Sequence, residues 1–243
     1  MKRLLVHWAR NPFMAYEHSK GTYAFHLVFR EYLQGKFKAE SWHWQKNAYM
    51  RAAKWELHEK NYGYALTLAL KGKAYPTALR IISEGGLSVL YKHSPQELRQ
   101  ILRNATPVER ARNFNACALI LLAINLIASP QDAREERDIL MINLPADWEP
   151  SSEENARFLF LEALDSLPDS GMVEADLRKL LSFCKENEVK LPRDYFQGIF
   201  RGVVGQLGLY YRRSGTLLEN VHTLQSIYDI CGLIIKDCDG RLW

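Results

Sequence analysis

The side chains able to do chemistry are seven histidines (His7, His18, His26, His43, His58, His93 and His222) and four cysteines (Cys117, Cys184, Cys231 and Cys238). Close together they would bind zinc or form a base–nucleophile pair. Their spacing gives neither. No CxxC pair occurs, no Cys/His cluster has zinc spacing, and there is no H-E-x-x-H or G-x-S-x-G stretch. A phosphate loop GxxxxGK[ST] is also missing: Gly202, Gly205 and Gly208 fall in a predicted helix with no following lysine. His26, just after an aromatic stretch, is expected to cap a helix or bond to the backbone of a hairpin. The acid pairs Glu135-Glu136 and Glu153-Glu154 are expected near helix starts, solvated and complementing the helix dipole. The reading is therefore a non-enzyme, with no catalytic residue, no metal site and no cofactor, whose cysteines are reduced thiols, some of them buried.

Stacking is the other chemistry in view. Trp42, Trp44, Tyr49, Trp55, Tyr62 and Tyr64 are dense in sequence, and aromatic faces suit sugars or planar ligands. Trp44 and Trp55 are eleven positions apart, about three turns, so on a helix they share a face. Core packing is the expected role for this group and for Tyr195, Tyr210 and Tyr211. No ligand-binding residue is assigned from it.

Positioning these residues falls to a chain of 243 residues with 47% hydrophobic and 25% charged residues, which excludes wholesale disorder. The net charge of +4 is too mild to argue nucleic-acid binding. Its distribution is uneven. Residues 1–60 carry 11 Lys/Arg against 5 Asp/Glu, and residues 130–180 carry 5 against 13. Such opposed regions are either docking surfaces of opposite sign or two solvated faces. The longest apolar run, Ala116 to Ala128, is interrupted by Asn125 and too short to span a bilayer; it predicts a buried helix. No signal peptide is visible, and a cytoplasmic, non-membrane protein is expected.

Two aromatic arms, 12–16 and 22–26, flank a polar turn, Glu17 to Gly21, and predict a β-hairpin. Leu27, Phe29 or Arg30, Leu33 and Phe37 then recur at helical spacing, with Gly35 near the helix end. Ser41 is the expected N-cap of a helix reaching about Lys60, and Asn61-Tyr62-Gly63 the following turn. A short helix, 64–71, buries Ala65, Leu68 and Ala69. After a turn through Gly72, Pro76 opens a helix that stops at Gly85-Gly86, and Ser94-Pro95-Gln96-Glu97 opens the next. Further helices are expected at 107–128, 152–167, 173–187, 193–213 and 216–236. Small residues such as Ala65-x3-Ala69 and Ala74-x3-Ala78 let neighbouring helices approach closely. A train of such hairpins leaves apolar faces that successive pairs cover, a solenoid, with a compact bundle of uneven hairpins as the alternative.

Asn11-Pro12-Phe13, the turn through Gly21, and Tyr23-Ala24-Phe25-His26-x-x-Phe29-x-x-Tyr32-Leu33 resemble the end of the winged-helix domain of MalT-type regulators, the LuxR-family signal-responsive ATPases. Met50-Arg51-Ala52-Ala53-x-Trp55 is similar to that family's following helix. Tyr64-Ala65-x4-Leu70-Lys71-Gly72-Lys73-Ala74-Tyr75 is similar to the segment after it. The likeness is clearest over 11–130 and weaker past 150, where Gly208 to Arg213 continues it. It implies a winged-helix remnant (1–38) followed by a TPR-like sensor arm (39–243), the whole all-α apart from the small hairpin. The ATPase and the DNA-reading helix-turn-helix of such regulators have no counterpart here, which implies a fragment or a descendant. The expected role is to sense a small-molecule inducer or a partner protein through a helical face, with self-association and without direct nucleic-acid contact. The alternative is a stand-alone TPR-like adaptor with no transcriptional role.

Overall fold

The computed structural model describes residues 13–17, 22–167, 169–197 and 203–235. Asn11, Pro12, residues 18–21 between the two aromatic arms, His7, Gly202, Cys238 and Trp243 lie outside them.

Among the described residues the chain is all-α but for one hairpin and an isolated bridge between Leu191 and Ile235. Strands β1 (Met14–Glu17) and β2 (Thr22–Phe25) pair antiparallel, with Met14 opposite Phe25 and Glu17 opposite Thr22. Glu17 thus belongs to the strand and not to the turn. The following helix α1 (Leu27–Ala39) contains Gly35 just before its last turn and has no buried residue. It is tied to the hairpin by aromatic rings: Phe29 stacks on Phe13 at 4.6 Å and meets Phe25 edge-on at 5.4 Å.

Helix α2 (Trp42–His58) starts where Ser41 accepts a hydrogen bond from the Trp44 N–H at 3.3 Å. Helix α3 (Tyr62–Lys71) begins two residues earlier than expected. Asn61 is already its first half-turn, with its carbonyl accepting from the Ala65 N–H at 2.9 Å, so Tyr62 and Gly63 are helical. Ala65 and Ala69 are fully buried, as their size and spacing require for close contact with α2. Helix α4 (Tyr75–Gly85) ends at Gly86, which sits at φ +71°, a region open to glycine, and a 3₁₀ turn (Leu87–Lys92) follows. The Ser94 capping box opens α5 (Pro95–Asn104), and a second one, Thr106 with Glu109, opens α6 (Pro107–Arg112).

The single helix expected over 107–128 is two. Asn113 breaks it: its side-chain amide donates to the Glu109 carbonyl at 2.8 Å and so competes for the helical backbone. Helix α7 (Phe114–Ile127) then restarts and is apolar on every side. Ten residues of it, Ala116 to Asn125, are buried in unbroken succession, as the apolar run predicts. Helix α8 (Pro130–Ile142) was not among the expected elements, although Ser129 caps it by accepting from the Asp132 N–H at 3.1 Å. Six of its thirteen residues are charged, so its apolar stripe is thin. Helices α9 (Ser152–Asp165) and α10 (Ser170–Glu186) follow the expected segments. In the segment 193–213, α11 (Asp194–Gln197) and α12 (Gly205–Ser214) are described, with 198–202 outside the described residues. Helix α13 (Val221–Ile234) starts five residues later than expected.

Successive helices pack on one another: α2 on α3, α3 on α4, α7 on α8, α9 on α10. Short connections turn each helix back against the last, the arrangement of a helical-repeat fold. Helix α7 also meets α4, α5, α6, α9 and the 3₁₀ turn, and the core runs continuously past it. Within α7, Asn125 is buried and neither its amide nor its carbonyl oxygen has a hydrogen-bond partner among the described residues. Leucine has the same number of side-chain heavy atoms, branched at the same carbon, and no polar group to desolvate. Asn125→Leu is therefore expected to raise stability by about 1 kcal/mol, read as a higher denaturant midpoint with an unchanged slope.

Candidate functional site

The histidines and cysteines do not gather. Among the described residues no group of three His, Cys, Asp or Glu could hold a metal. His26 occupies the N-cap position of α1, where its backbone N–H donates to the Phe13 carbonyl at 2.7 Å; its side chain makes no capping bond. His43 lies 3.0 Å from the Asn47 amide. His93 is buried 3.7 Å from Glu97, and desolvation holds its pKa below the ordinary value despite that carboxylate. Cys117, Cys184 and Cys231 are buried free thiols; burial pushes Cys117 and Cys231 up to about 12, so neither is a nucleophile near neutrality.

One expected acid pair is half corrected. Glu153 and Glu154 do open α9, where Glu154 completes a capping box. Glu135 and Glu136 lie in the middle of α8 instead, and Glu136 is buried, its side chain 3% exposed. It is held by Arg99 at 3.3 Å and by the Arg103 guanidinium, whose Nε donates at 3.2 Å; Arg99 also holds Asp132. This network bolts α5 to α8. A second one bolts α8 to α9: Arg137 pairs with the Asp165 carboxylate while Arg134 donates to the Asp165 carbonyl. Both are structural joints.

The aromatic residues carry the main departure from expectation. Trp44 is 51% and Trp55 64% exposed, and Trp42 and Tyr64 are exposed as well. The helical spacing did place Trp44 and Trp55 on one face. That face is the outer one, because α2 buries Ala53 and Leu57, and both tryptophans sit about half a turn round from Ala53. Small residues fill the α2–α3 contact and leave no room for indole rings. Tyr195, by contrast, is fully buried against Phe160 at 5.3 Å, Tyr211 is buried and Tyr210 is exposed.

A groove of about 540 Å³ lies between β2, α1, α2 and the end of α3, on the Tyr49 side of α2. Phe25, Leu33, Phe37 and Tyr49 form its apolar part; Arg30, Lys38 and Lys71 stand round it with Gln34. Phe37 anchors it, its ring edge-on to Trp44 at 5.6 Å and to Tyr49 at 5.1 Å. The α1–α2 corner is fixed by Gln45, whose amide donates to the Glu40 carbonyl at 2.8 Å and to that of Lys38 at 3.3 Å. No carboxylate lines the groove, and Arg30, Lys38 and Lys71 have no ion-pair partner among the described residues. Lys73 lies over the Trp42 ring at 5.6 Å. The result is an aromatic and cationic groove with Trp44 at its edge. It can receive apolar side chains flanked by carboxylates.

The sequence reading missed the groove's cations and Phe37. A signal existed: Leu33 and Phe37, four apart on α1, face a segment too short to bury them. A second groove, about 520 Å³, is lined by Lys54, Leu57, His58, Lys60, Tyr62, Arg80 and Glu84, and there Arg80 is already paired with Glu84 at 2.9 Å. No helix among the described residues is long and apolar enough to cross a membrane. No known protein family, curated protein or solved structure matches the chain.

Proposed function

We propose that the chain is the partner-sensing helical-repeat portion of a MalT-like, LuxR-family cytoplasmic transcription regulator, acting without catalysis of its own. The observation that carries the sensing role is the exposed aromatic and cationic face of α1–α3. Single exposed apolar residues need no explanation, but an open apolar groove ringed by cations, with exposed Trp44 against its Phe37, is a concentrated patch. Tryptophan, tyrosine and arginine are the residues that dominate binding energy at interfaces. The groove is open and shallow, whereas small-molecule sites enclose most of their ligand. That favours a partner protein's side chains over a small inducer. The regulator assignment rests on the resemblance of 11–130, which runs through the same segments that build this face. A stand-alone adaptor would use the face identically; a neighbouring reading frame encoding an ATPase or a helix-turn-helix separates the two.

A panel of acidic amphipathic peptides and a panel of sugars, titrated against the chain by fluorescence and thermal shift, test the reading. Peptide binding is expected, weakened about tenfold or more by Trp44→Ala with Lys71→Ala, with the melting temperature of the free chain held. Sugar binding that survives both substitutions, with no peptide bound, would replace the partner by an inducer bound elsewhere.

A further inference from the structure

Helix α8 presents to solvent what the groove of α1–α3 is built to receive. Its inner face is spent on Ala133, Glu136 and Leu140, which pack on α7 and join α5. The outer stripe is Glu135, Asp138, Ile139 and Ile142, spaced i, i+3, i+4 and i+7, all exposed. Ile142 is 84% exposed, an extreme value for an isoleucine. Asp147 and Glu149 follow in the exposed loop after α8. On this stripe Asp138 is touched by Arg137 at 3.3 Å, and Arg137 is itself committed to Asp165; Glu135 accepts from the Gln131 amide at 3.0 Å, and Arg134 is the exposed cation alongside. The ridge is therefore two isoleucines with carboxylates on its flanks. Opposite in character, the groove offers Phe25, Leu33, Phe37 and Tyr49 with Arg30, Lys38 and Lys71, which have no ion-pair partner among the described residues, and no acid in its described lining.

We infer that the chain assembles head to tail, the Glu135–Ile142 ridge of one copy seating in the Phe25/Leu33/Phe37/Tyr49 groove of the next. The inference rests on reading that groove as a docking face, and it names a second copy as an occupant. Ridge and groove come from different parts of the chain, so the contact is heterologous unless a two-fold axis lets both engage at once. Each added copy leaves one ridge and one groove open, and growth does not stop at two unless the rotation closes a ring. The helix-in-groove geometry supplies apolar anchors one and two turns apart, and the carboxylates meeting Arg30, Lys38 and Lys71 set the direction. The ridge spans only about two turns, roughly 12 Å, so the contact is smaller than a standard interface and the assembly is weak and concentration-dependent.

The test is sedimentation and light scattering of the full chain and two variants that alter only exposed residues. The mass of the wild type is expected to at least double as its concentration rises from about 10 to 500 µM, and to fall back in 1 M salt, where the screening length is about 3 Å. Ile142→Asp, which keeps its groove, and Arg30→Glu with Lys71→Glu, which keeps its ridge, are each expected to stay monomeric. Mixed, they are expected to form a dimer and nothing larger, since one intact ridge meets one intact groove. A monomeric wild type, an Ile142→Asp variant that still assembles, a mixture that does not pair, or a groove that holds nucleic acid on purification would each overturn the inference. Acidic peptides that bind a monomeric chain, and lose binding with Arg30→Glu and Lys71→Glu, would overturn self-assembly while leaving the partner-sensing role intact.

Discussion

Phe160→Ala is expected to cost about 3–5 kcal/mol of stability, measured as a lower denaturant midpoint. Phe160 is fully buried in the middle of α9, the helix that packs on α7, α8 and α10. Its ring meets Tyr195 edge to face at 5.3 Å with the planes 80° apart, so the substitution removes a large apolar side chain and one half of an aromatic pair. It also leaves Tyr195, itself fully buried, beside a cavity. Phe160→Leu keeps most of the volume and is expected to cost much less, about 1.5 kcal/mol or below. A loss under about 1 kcal/mol for the alanine variant would mean that α9 is not seated on α7 and α10 as described.

Arg137→Ala is expected to cost about 3 kcal/mol at pH 8 and markedly less at pH 5. Arg137 is mostly buried, lies 5.5 Å over the Phe158 ring and pairs with the Asp165 carboxylate. Burial pushes the Asp165 carboxyl up to about 6 from its ordinary 3.8; Arg137 and Arg134 pull it down, and Asp138 and Glu162 push it up slightly. Because the folded value is the higher one, the stability linked to this group is complete below about pH 4 and is lost as the pH rises through about 6. Removing Arg137 takes away the main cation, drives the carboxyl higher still and widens that window. At pH 8 the variant must bury a carboxylate with only Arg134 near it; at pH 5 it can bury the neutral acid instead. Thermal melts of wild type and variant between pH 4.5 and 8 check this. Parallel curves, with a constant gap, would show that Arg137 acts only through packing.

How far the sequence spoke depended on how strongly each residue constrains its own backbone. Ser94-Pro95-Gln96-Glu97 and Ser41 were legible because a cap bonds to an N–H three residues away, and that geometry is written in consecutive letters. The apolar run of α7 was legible for the opposite reason: no face of it could be left in water. Helix α8 was missed although Ser129-Pro130 announces it, because its core-facing positions include Glu136. That acid is interior only by virtue of Arg99 and Arg103, some thirty residues earlier, which local reading cannot supply. The split at Asn113 was hidden by a side chain that competes with the backbone, an effect with no periodicity. At the candidate site the helical spacing put Trp44 and Trp55 on a common face but left its direction open. Direction was decided by Ala53, Ala65 and Ala69, whose smallness draws α2 and α3 together and turns the indoles outward. The groove itself joins β2, α1, α2 and α3, and no single segment contains it.

Helix α7 changes what this architecture can tolerate. In a plain stack of repeats each unit touches only its neighbours, so units can be duplicated or deleted with little effect on the rest. Here one helix is a shared wall for elements on both sides of it, from α4 to α9. Loss or insertion of a helical pair next to it would open the wall, while the ends of the chain are free of that constraint. Lineages descended from this fold should therefore vary in helix number at the two ends and keep a fixed length between Tyr75 and Asp165.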